Sequence, residues 1–341
     1  MNASLNQDLA GVFHKDTQEF FKRKRVLVTG GGGFIGSHVV EQVIALGAHV
    51  IVLSRSGISD FLRPVEKEIE FKICDLTDLK QTQTAFRGID IILHLAADVG
   101  GLEYNIKKPA SIFDHNMRMA LNVLDSAEKN SIGRVFLCSS ACVYPRNCIV
   151  PTPEEDGFKG EPEPTNSGYG WSKRMLELLG QQYEREFGLS VAVARPYNAY
   201  GPRDDFDISR SHVIPALIRK AIEAKSGDFN VWGSGVATRA FLYVEDFARG
   251  VIEVAARMPN ADPVNIGVDD EVEIKNLAKQ IADLTNELTG LRPKPVFNPN
   301  LEEGQPRRNC DTRKAKRLLG FEACVSLNEG LRRTIKWYLD K

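Results

Sequence analysis

Val26-Leu27-Val28-Thr29-Gly30-Gly31-Gly32-Gly33-Phe34-Ile35-Gly36-Ser37 is an apolar run that breaks into glycines and leaves as a helical pattern. Val26 to Val28 reads as a buried strand, and from Phe34 the apolar positions Ile35, Val39, Val40, Val43, Ile44 and Leu46 recur at helical spacing. Gly30, Gly33 and Gly36 then have a shared purpose: a tight turn, close approach of backbone to a pyrophosphate, and close packing of helix on strand, with helix N–H groups aimed at the anion. A Walker loop would need Gly-Lys-Ser/Thr after the last glycine, and Ile35-Gly36-Ser37 has no lysine. With a second apolar strand at Val50 to Leu53, the turn is read as a dinucleotide-binding one.

Strand and helix patterns alternate beyond it. Val50 to Leu53, Glu70 to Ile73, Ile91 to Leu95, Arg134 to Ser139 and Val191 to Arg195 are strand-like, so the expected fold is α/β, a Rossmann-type doubly wound parallel sheet. Ligands collect at the carboxyl ends of such strands. From Gly201 the pattern loosens: a helix at Val213 to Ala224, a strand at Ala240 to Val244, a helix at Glu245 to Arg257, a helix from Ile274, a Pro-rich turn at Pro293 to Pro299 and a helix from Leu327. The expected organisation is a dinucleotide-binding domain of residues 24–197 plus about 240–268 and a smaller α/β substrate domain of about 198–239 plus 269–341. Residues 1–23 read as a polar extension, and Pro151 to Asn166 as a surface excursion.

The 341 residues are ample for such a core, and a net charge of −1 removes the electrostatic reason to expect nucleic acid or an anionic membrane as partner. No apolar run approaches the roughly 20 residues of a membrane span, and the polar first 21 residues lack the apolar centre of a signal peptide. Six cysteines without CxxC pairing, Cys74, Cys138, Cys142, Cys148, Cys310 and Cys324, suit a reduced, cytoplasmic setting. No His/Cys/carboxylate cluster has zinc spacing, so no metal is implied.

The strand ends carry the chemistry. Leu53-Ser54-Arg55-Ser56 places Arg where NAD sites usually have Asp or Glu, which favours the 2′-phosphate of NADP, with NAD as the alternative and a solvated arginine as the plain reading. Asp75 is placed to accept from an adenine amino group, or to cap a helix with Thr77. Ala96 and Ala97 let backbone lie against a cofactor, and His94 reads as a packed strand residue. Tyr169 and Lys173, four apart at the start of a helix, face the same way. A nearby ammonium lowers a phenol pKa, making Tyr169 an acid/base near neutrality. Ser140, after the fifth strand in Ser139-Ser140-Ala141-Cys142-Val143-Tyr144-Pro145, can bond the same substrate oxygen.

Ser, Tyr and Lys in this order after such a turn resemble the extended short-chain dehydrogenase/reductases that act on nucleotide sugars, over about residues 24–340. The stretches Ala96-Ala97-Asp98-Val99-Gly100-Gly101, Glu163-Pro164-Thr165-Asn166, Asn198-Ala199-Tyr200-Gly201-Pro202, Ser211-His212-Val213-Ile214-Pro215 and Val231-Trp232-Gly233-Ser234-Gly235, leading to Arg239, are most similar to the GDP-L-fucose synthase branch. That resemblance implies Ser140, Tyr169 and Lys173 as a reductase triad, with Cys142 and His212 as base and acid of C3/C5 epimerisation. It implies cofactor contacts from Gly30, Gly33, Phe34, Ile35, Gly36, Ser54, Arg55, Asp75, Leu76, Ala96, Ala97, Tyr169, Lys173 and Pro196. Asn198, Lys220, Trp232 and Arg239 would contact a GDP-sugar substrate, Asn116 would position a loop under the cofactor, and the chain would form a homodimer. Arg195-Pro196-Tyr197-Asn198 resembles redox-neutral epimerases, and Ala-Ala-Asp-Val-Gly-Gly with Ser-Ser-Ala-Cys also resembles GDP-mannose 3,5-epimerase. Leu301-Glu302-Glu303-Gly304 stands where the branch has Lys-Pro-Asp-Gly, and Ser54 to Asp75 is longer than in the reductases.

Overall fold

A computed structural model describes residues 10–207, 210–301 and 305–341, so the Glu302-Glu303-Gly304 departure lies outside the described residues. The expected parallel sheet is present, with seven strands. In chain order these are β1 (Arg25–Thr29), β2 (His49–Ser54), β3 (Ile69–Ile73), β4 (Ile91–His94), β5 (Arg134–Cys138), β6 (Val191–Pro196) and β7 (Val264–Ile266). Their spatial order is β7-β6-β5-β4-β1-β2-β3 and every neighbouring pair is parallel. The order reverses between β1 and β4, which opens a crevice beyond their carboxyl ends.

Both faces of the sheet are covered, so the strands read as near-continuous apolar runs. Alternate residues serve opposite sides. Val26, Val28, Val50, Val52, Ile91 and Leu93 pack with helices α2 (Phe34–Ala45) and α7 (Val244–Arg257). Leu27, Ile51, Leu53, Ile92, Val135 and Leu137 pack on the other face with α3 (Leu79–Ala85), α4 (Pro109–Lys129) and α5 (Ser167–Phe187). A separate apolar cluster joins residues of α6 (Val213–Glu223), α8 (Ile274–Thr289) and α9 (Leu327–Leu339).

Four expectations change. Residues 15–21 are more than a polar extension: Lys15–Phe21 is helix α1, Phe13 and Phe21 are buried in the sheet-face cluster, and Thr17 Oγ1 donates to Glu253 Oε2 on α7 at 2.7 Å. The apolar positions were too few to outweigh the Lys, Asp, Gln and Glu between them. Ala240 to Val244 supplies only the two-residue strand Leu242–Tyr243, which pairs with Ala199–Tyr200 outside the main sheet. The sheet is instead completed by β7, too short to show alternation. Lys294–Asn298 is a strand rather than a turn, paired in parallel with Asp228–Trp232. That two-strand ribbon has open outer edges, where Pro295 removes no ladder bond.

Pro151 to Asn166 is anchored, not merely superficial. Thr152 is buried, Thr152 N donates to the Asn309 carbonyl at 3.0 Å, and Arg195 Nη1 donates to the Glu154 carbonyl at 2.6 Å. Arg195, on β6, also grips Glu177 of α5 with two nitrogens at 2.8 and 2.6 Å, and both side chains are buried. Ser139 at the end of β5 donates to the same carboxylate. This polar knot ties α5 to the ends of β5 and β6.

Candidate active site

The glycine turn forms a cradle that side chains would fill. Gly30 turns with φ +69°, and a Cβ there would lie 2.9 Å from the Ala96 amide nitrogen. A Cβ on Gly36 would overlap the Gly30 carbonyl oxygen, so helix α2 starts hard against the turn. Phe34 and Ile35 open that helix, with Gly33 at its N-cap. Ser59 Oγ, buried and without a hydrogen-bond partner among the described residues, would stand 3.3 Å from a Cβ on Gly32. An unfilled backbone cradle at a helix N-terminus, faced by an orphaned hydroxyl, fits the pyrophosphate of a dinucleotide. Ser59 escaped the sequence reading because a serine in Gly57-Ile58-Ser59 looks like any loop serine. Gly36→Ala is expected to weaken dinucleotide binding about tenfold or more, since overpacking a rigid contact costs about 1–3 kcal/mol. Fluorescence titration measures it, and unchanged affinity would place the dinucleotide elsewhere.

Around the cradle, the strand ends sort themselves. Asp75 Oδ1 accepts from the Thr77 amide at 2.9 Å and the Thr77 hydroxyl at 2.8 Å. These bonds hold its carboxyl below the usual range, with a smaller pull from nearby Arg55. The helix cap is Asp78, which accepts from the Gln81 amide; Asp75 only turns the chain into it. Arg55 is exposed, Ser54 half-buried, and Leu76 and Pro196 buried. Ala96 and Ala97 are half-buried beside the turn, and the Ala96 amide donates to Thr29 Oγ1 at 3.1 Å. His94 pairs its Nδ1 with Thr29 Oγ1 at 2.9 Å. Burial, helped by the Lys173 charge, holds its pKa down to about 3, so it is a neutral strand residue as expected.

Tyr169, Lys173 and Glu177 follow one another at four-residue steps along α5. Lys173, only 4% exposed, donates Nζ to the Cys138 carbonyl at 2.7 Å and lies 5.5 Å from the Tyr169 ring centre. Ser140 bends the chain after β5, its hydroxyl accepting from the Cys142 amide at 3.1 Å and also bonding the Tyr169 hydroxyl. The three residues therefore meet. The expected lowering of the tyrosine pKa does not follow: burial pushes the Tyr169 phenol well up, Cys142 and Cys138 add to it, and the Ser140 bond and Arg308 only oppose. Lys173 is itself lowered, by burial first. In the chain alone Tyr169 is a protonated phenol, a proton donor in waiting.

Cys142 sits beside this group. Arg308 Nη2 donates to its sulfur at 3.5 Å, and Asn166 Nδ2 approaches at 4.0 Å. Arg308 was invisible in sequence, since only the fold brings Arg307-Arg308 back to the end of β5. The residues line a narrow cleft, part of it open to solvent, whose walls also include Tyr197, Glu163 and Cys148.

His212 lies apart from this cavity. It stands at the N-cap of α6, 63% exposed, with Nδ1 3.8 Å from Asp204 Oδ1, and that carboxylate raises its pKa. None of its contacts among the described residues reaches Cys142. Lys220 and Trp232 do meet: Lys220 Nζ lies 5.6 Å from the indole centre and donates to the Asn230 carbonyl at 3.1 Å, while Trp232 is 57% exposed. Such a cation beside an open indole suits a base and a diphosphate. Asn198 Nδ2 is spent on the Ala240 carbonyl at 2.8 Å, and Arg239 Nη1 on the Thr238 carbonyl at 2.7 Å. Asn116 supports the loop after β4 by bonding both the amide and the carbonyl of Asp98, at 2.7 and 2.9 Å.

Residues 26–267 match the family model described as "NAD dependent epimerase/dehydratase family". The chain is 33% identical over 323 residues to "Probable GDP-L-fucose synthase 1" of Oryza sativa subsp. japonica, covering 94% of this chain and 93% of the relative. It is 31% identical to "GDP-mannose 3,5-epimerase 1" of the same organism, over 93% of this chain and 82% of the relative. Among solved structures, a GDP-L-fucose synthetase from Naegleria fowleri bound to NADP superposes with a TM-score of 0.78, at 28% identity and 93% coverage of both chains.

Proposed function

Since this chain belongs to the NAD dependent epimerase/dehydratase family, we propose that it is an NADP(H)-dependent nucleotide-sugar epimerase-reductase, converting a GDP-4-keto-6-deoxy-hexose to GDP-L-fucose or a related GDP-deoxysugar. The observation that carries this reading is the placing of Cys142, with Arg308 on its sulfur, in the same loop as Ser140 and next to Tyr169. A plain reductase needs no base there. The residues of the cradle, with Ser54, Arg55, Ala96, Ala97 and Lys173, would hold the dinucleotide, whose nicotinamide would supply the hydride for C4.

The chain's own residues do the rest. Ser140 and Tyr169 bond the C4 oxygen, which acidifies the hydrogens on C3 and C5 and stabilises the enolate left when one departs. Cys142, as thiolate, takes the proton from one face. His212, its pKa raised by Asp204, is assigned the return of a proton from the other face. Tyr169, protonated in its buried site, gives its proton to the C4 oxygen on reduction. Lys220 and Trp232 take the nucleotide diphosphate end. A redox-neutral epimerase that keeps NAD is the second reading, supported by the similarity to a GDP-mannose 3,5-epimerase.

Nicotinamide absorbance with GDP-4-keto-6-deoxy-mannose as substrate separates the two. NADPH consumption with a GDP-6-deoxyhexose product is the expected result; no consumption, with NAD bound to the protein as isolated, would establish the second reading. Arg55→Ala is expected to lower the preference for NADPH over NADH about tenfold, the worth of one charge-assisted phosphate bond. An unchanged preference would remove Arg55 from the cofactor site.

A further inference from the structure

Among the residues lining the cavity beside Cys142, Glu163 has one carboxyl oxygen without a hydrogen-bond partner among the described residues. Glu163 is half-buried, with 12% of its side chain exposed. Its Oε1 accepts from Arg146 at 3.4 Å, while Oε2 is out of solvent and lacks any hydrogen-bond partner among the described residues. An unsatisfied buried carboxyl oxygen is costly to keep. Its neighbours are not loose enough to have left it there by default. Pro162 and Pro164 flank it, Pro162 is bridged to Pro145, and the turn Pro164–Asn166 carries the amide that faces the Cys142 sulfur. The backbone that carries Glu163 is thus tied into the wall that bears the proposed base, and its carboxyl offers an acceptor to something that brings its own donor.

We propose that Glu163 accepts a hydrogen bond from a hydroxyl of the substrate's pyranose ring and so sets which sugars are held against Cys142. The assignment rests on the nucleotide-sugar reading of the site. It makes Glu163 a specificity residue: a sugar that lacks that hydroxyl, or turns it away, leaves the oxygen as unpaired as it is in the free chain, whereas the right sugar satisfies it. A site built to bond a hydroxyl rejects the analogue without it far more strongly than an apolar pocket rejects a missing methylene.

The test is calorimetric titration of the full chain, with NADPH present, using GDP, GDP-mannose and GDP-mannose analogues deoxygenated one ring position at a time. The proteins are wild type, Glu163→Gln and Glu163→Leu. Expected for Glu163→Leu is a loss of about tenfold or more in affinity for GDP-mannose, with GDP affinity unchanged. Glu163→Gln, which keeps an acceptor oxygen, loses less. For one deoxy analogue wild type and Glu163→Leu bind alike, a coupling that a merely structural role would not produce. If wild type binds GDP-mannose but Glu163→Leu binds it equally well, the oxygen is satisfied by water and this proposal falls alone. If wild type binds no GDP-sugar better than GDP, the nucleotide-sugar reading falls and takes the proposal with it. NADPH affinity of each variant, measured alongside, shows that the fold has survived.

Discussion

Tyr169→Phe is expected to cut turnover about 10²- to 10⁴-fold, the range for losing a positioned general acid, while the chain stays folded. Phe fills the same space on α5, so the change removes one hydroxyl and its bond to Ser140. The sign of the pKa shift sharpens the expectation. Burial favours the neutral phenol, so the group starts as donor, and Lys173 does not replace it, being spent on the Cys138 carbonyl. Steady-state turnover of the GDP-4-keto sugar measures the effect. A loss below tenfold would mean that the proton comes from another group, with Cys142 the next to test.

Glu177→Gln is expected to destabilise the fold by about 3–5 kcal/mol, because it leaves the Arg195 guanidinium buried without its counter-charge. The neutral amide still fits, so the penalty is electrostatic rather than a matter of packing. Urea unfolding measures it through the shift of the midpoint at constant slope. The double change Glu177→Leu with Arg195→Met is expected to recover most of the loss, since it removes both charges together. If Glu177→Gln costs less than about 1 kcal/mol, the value typical of an exposed pair, water reaches the knot and the ion pair is not what ties α5 to the sheet.

What could be read in the sequence, and what could not, divides by distance along the chain. The turn from Gly30 to Gly36, the strands up to β6 and the Tyr169-Lys173 spacing are local patterns, and the fold reproduces them. Ser140 belongs with them because a serine ending a parallel strand must open onto the crevice. Arg308 beside Cys142, Arg195 on Glu177 and Glu163 facing the cavity are pairings across 18 to 166 positions or features of a closed wall, and no spacing announces them. The pKa of Tyr169 fails for a related reason. The attraction of Lys173 is legible from a four-residue interval, but the burial that outweighs it comes from elements far along the chain. His212 could be read as a residue of the helix start, but not whether α6 would carry it into the cavity.

Strand β7 has a consequence of another kind. It lies at the outer edge of the sheet, paired with β6, yet the polypeptide passes through residues 197–263 before supplying it. On a ribosome adding about 5–20 residues per second, β6 would wait several seconds, with one flank of its hydrogen-bonding groups uncovered, until Val264 to Ile266 emerges. During that interval the nascent chain presents an unprotected edge to its neighbours on the same messenger. Yield in cells would then depend on elongation speed through this interval, a property that the finished enzyme no longer shows.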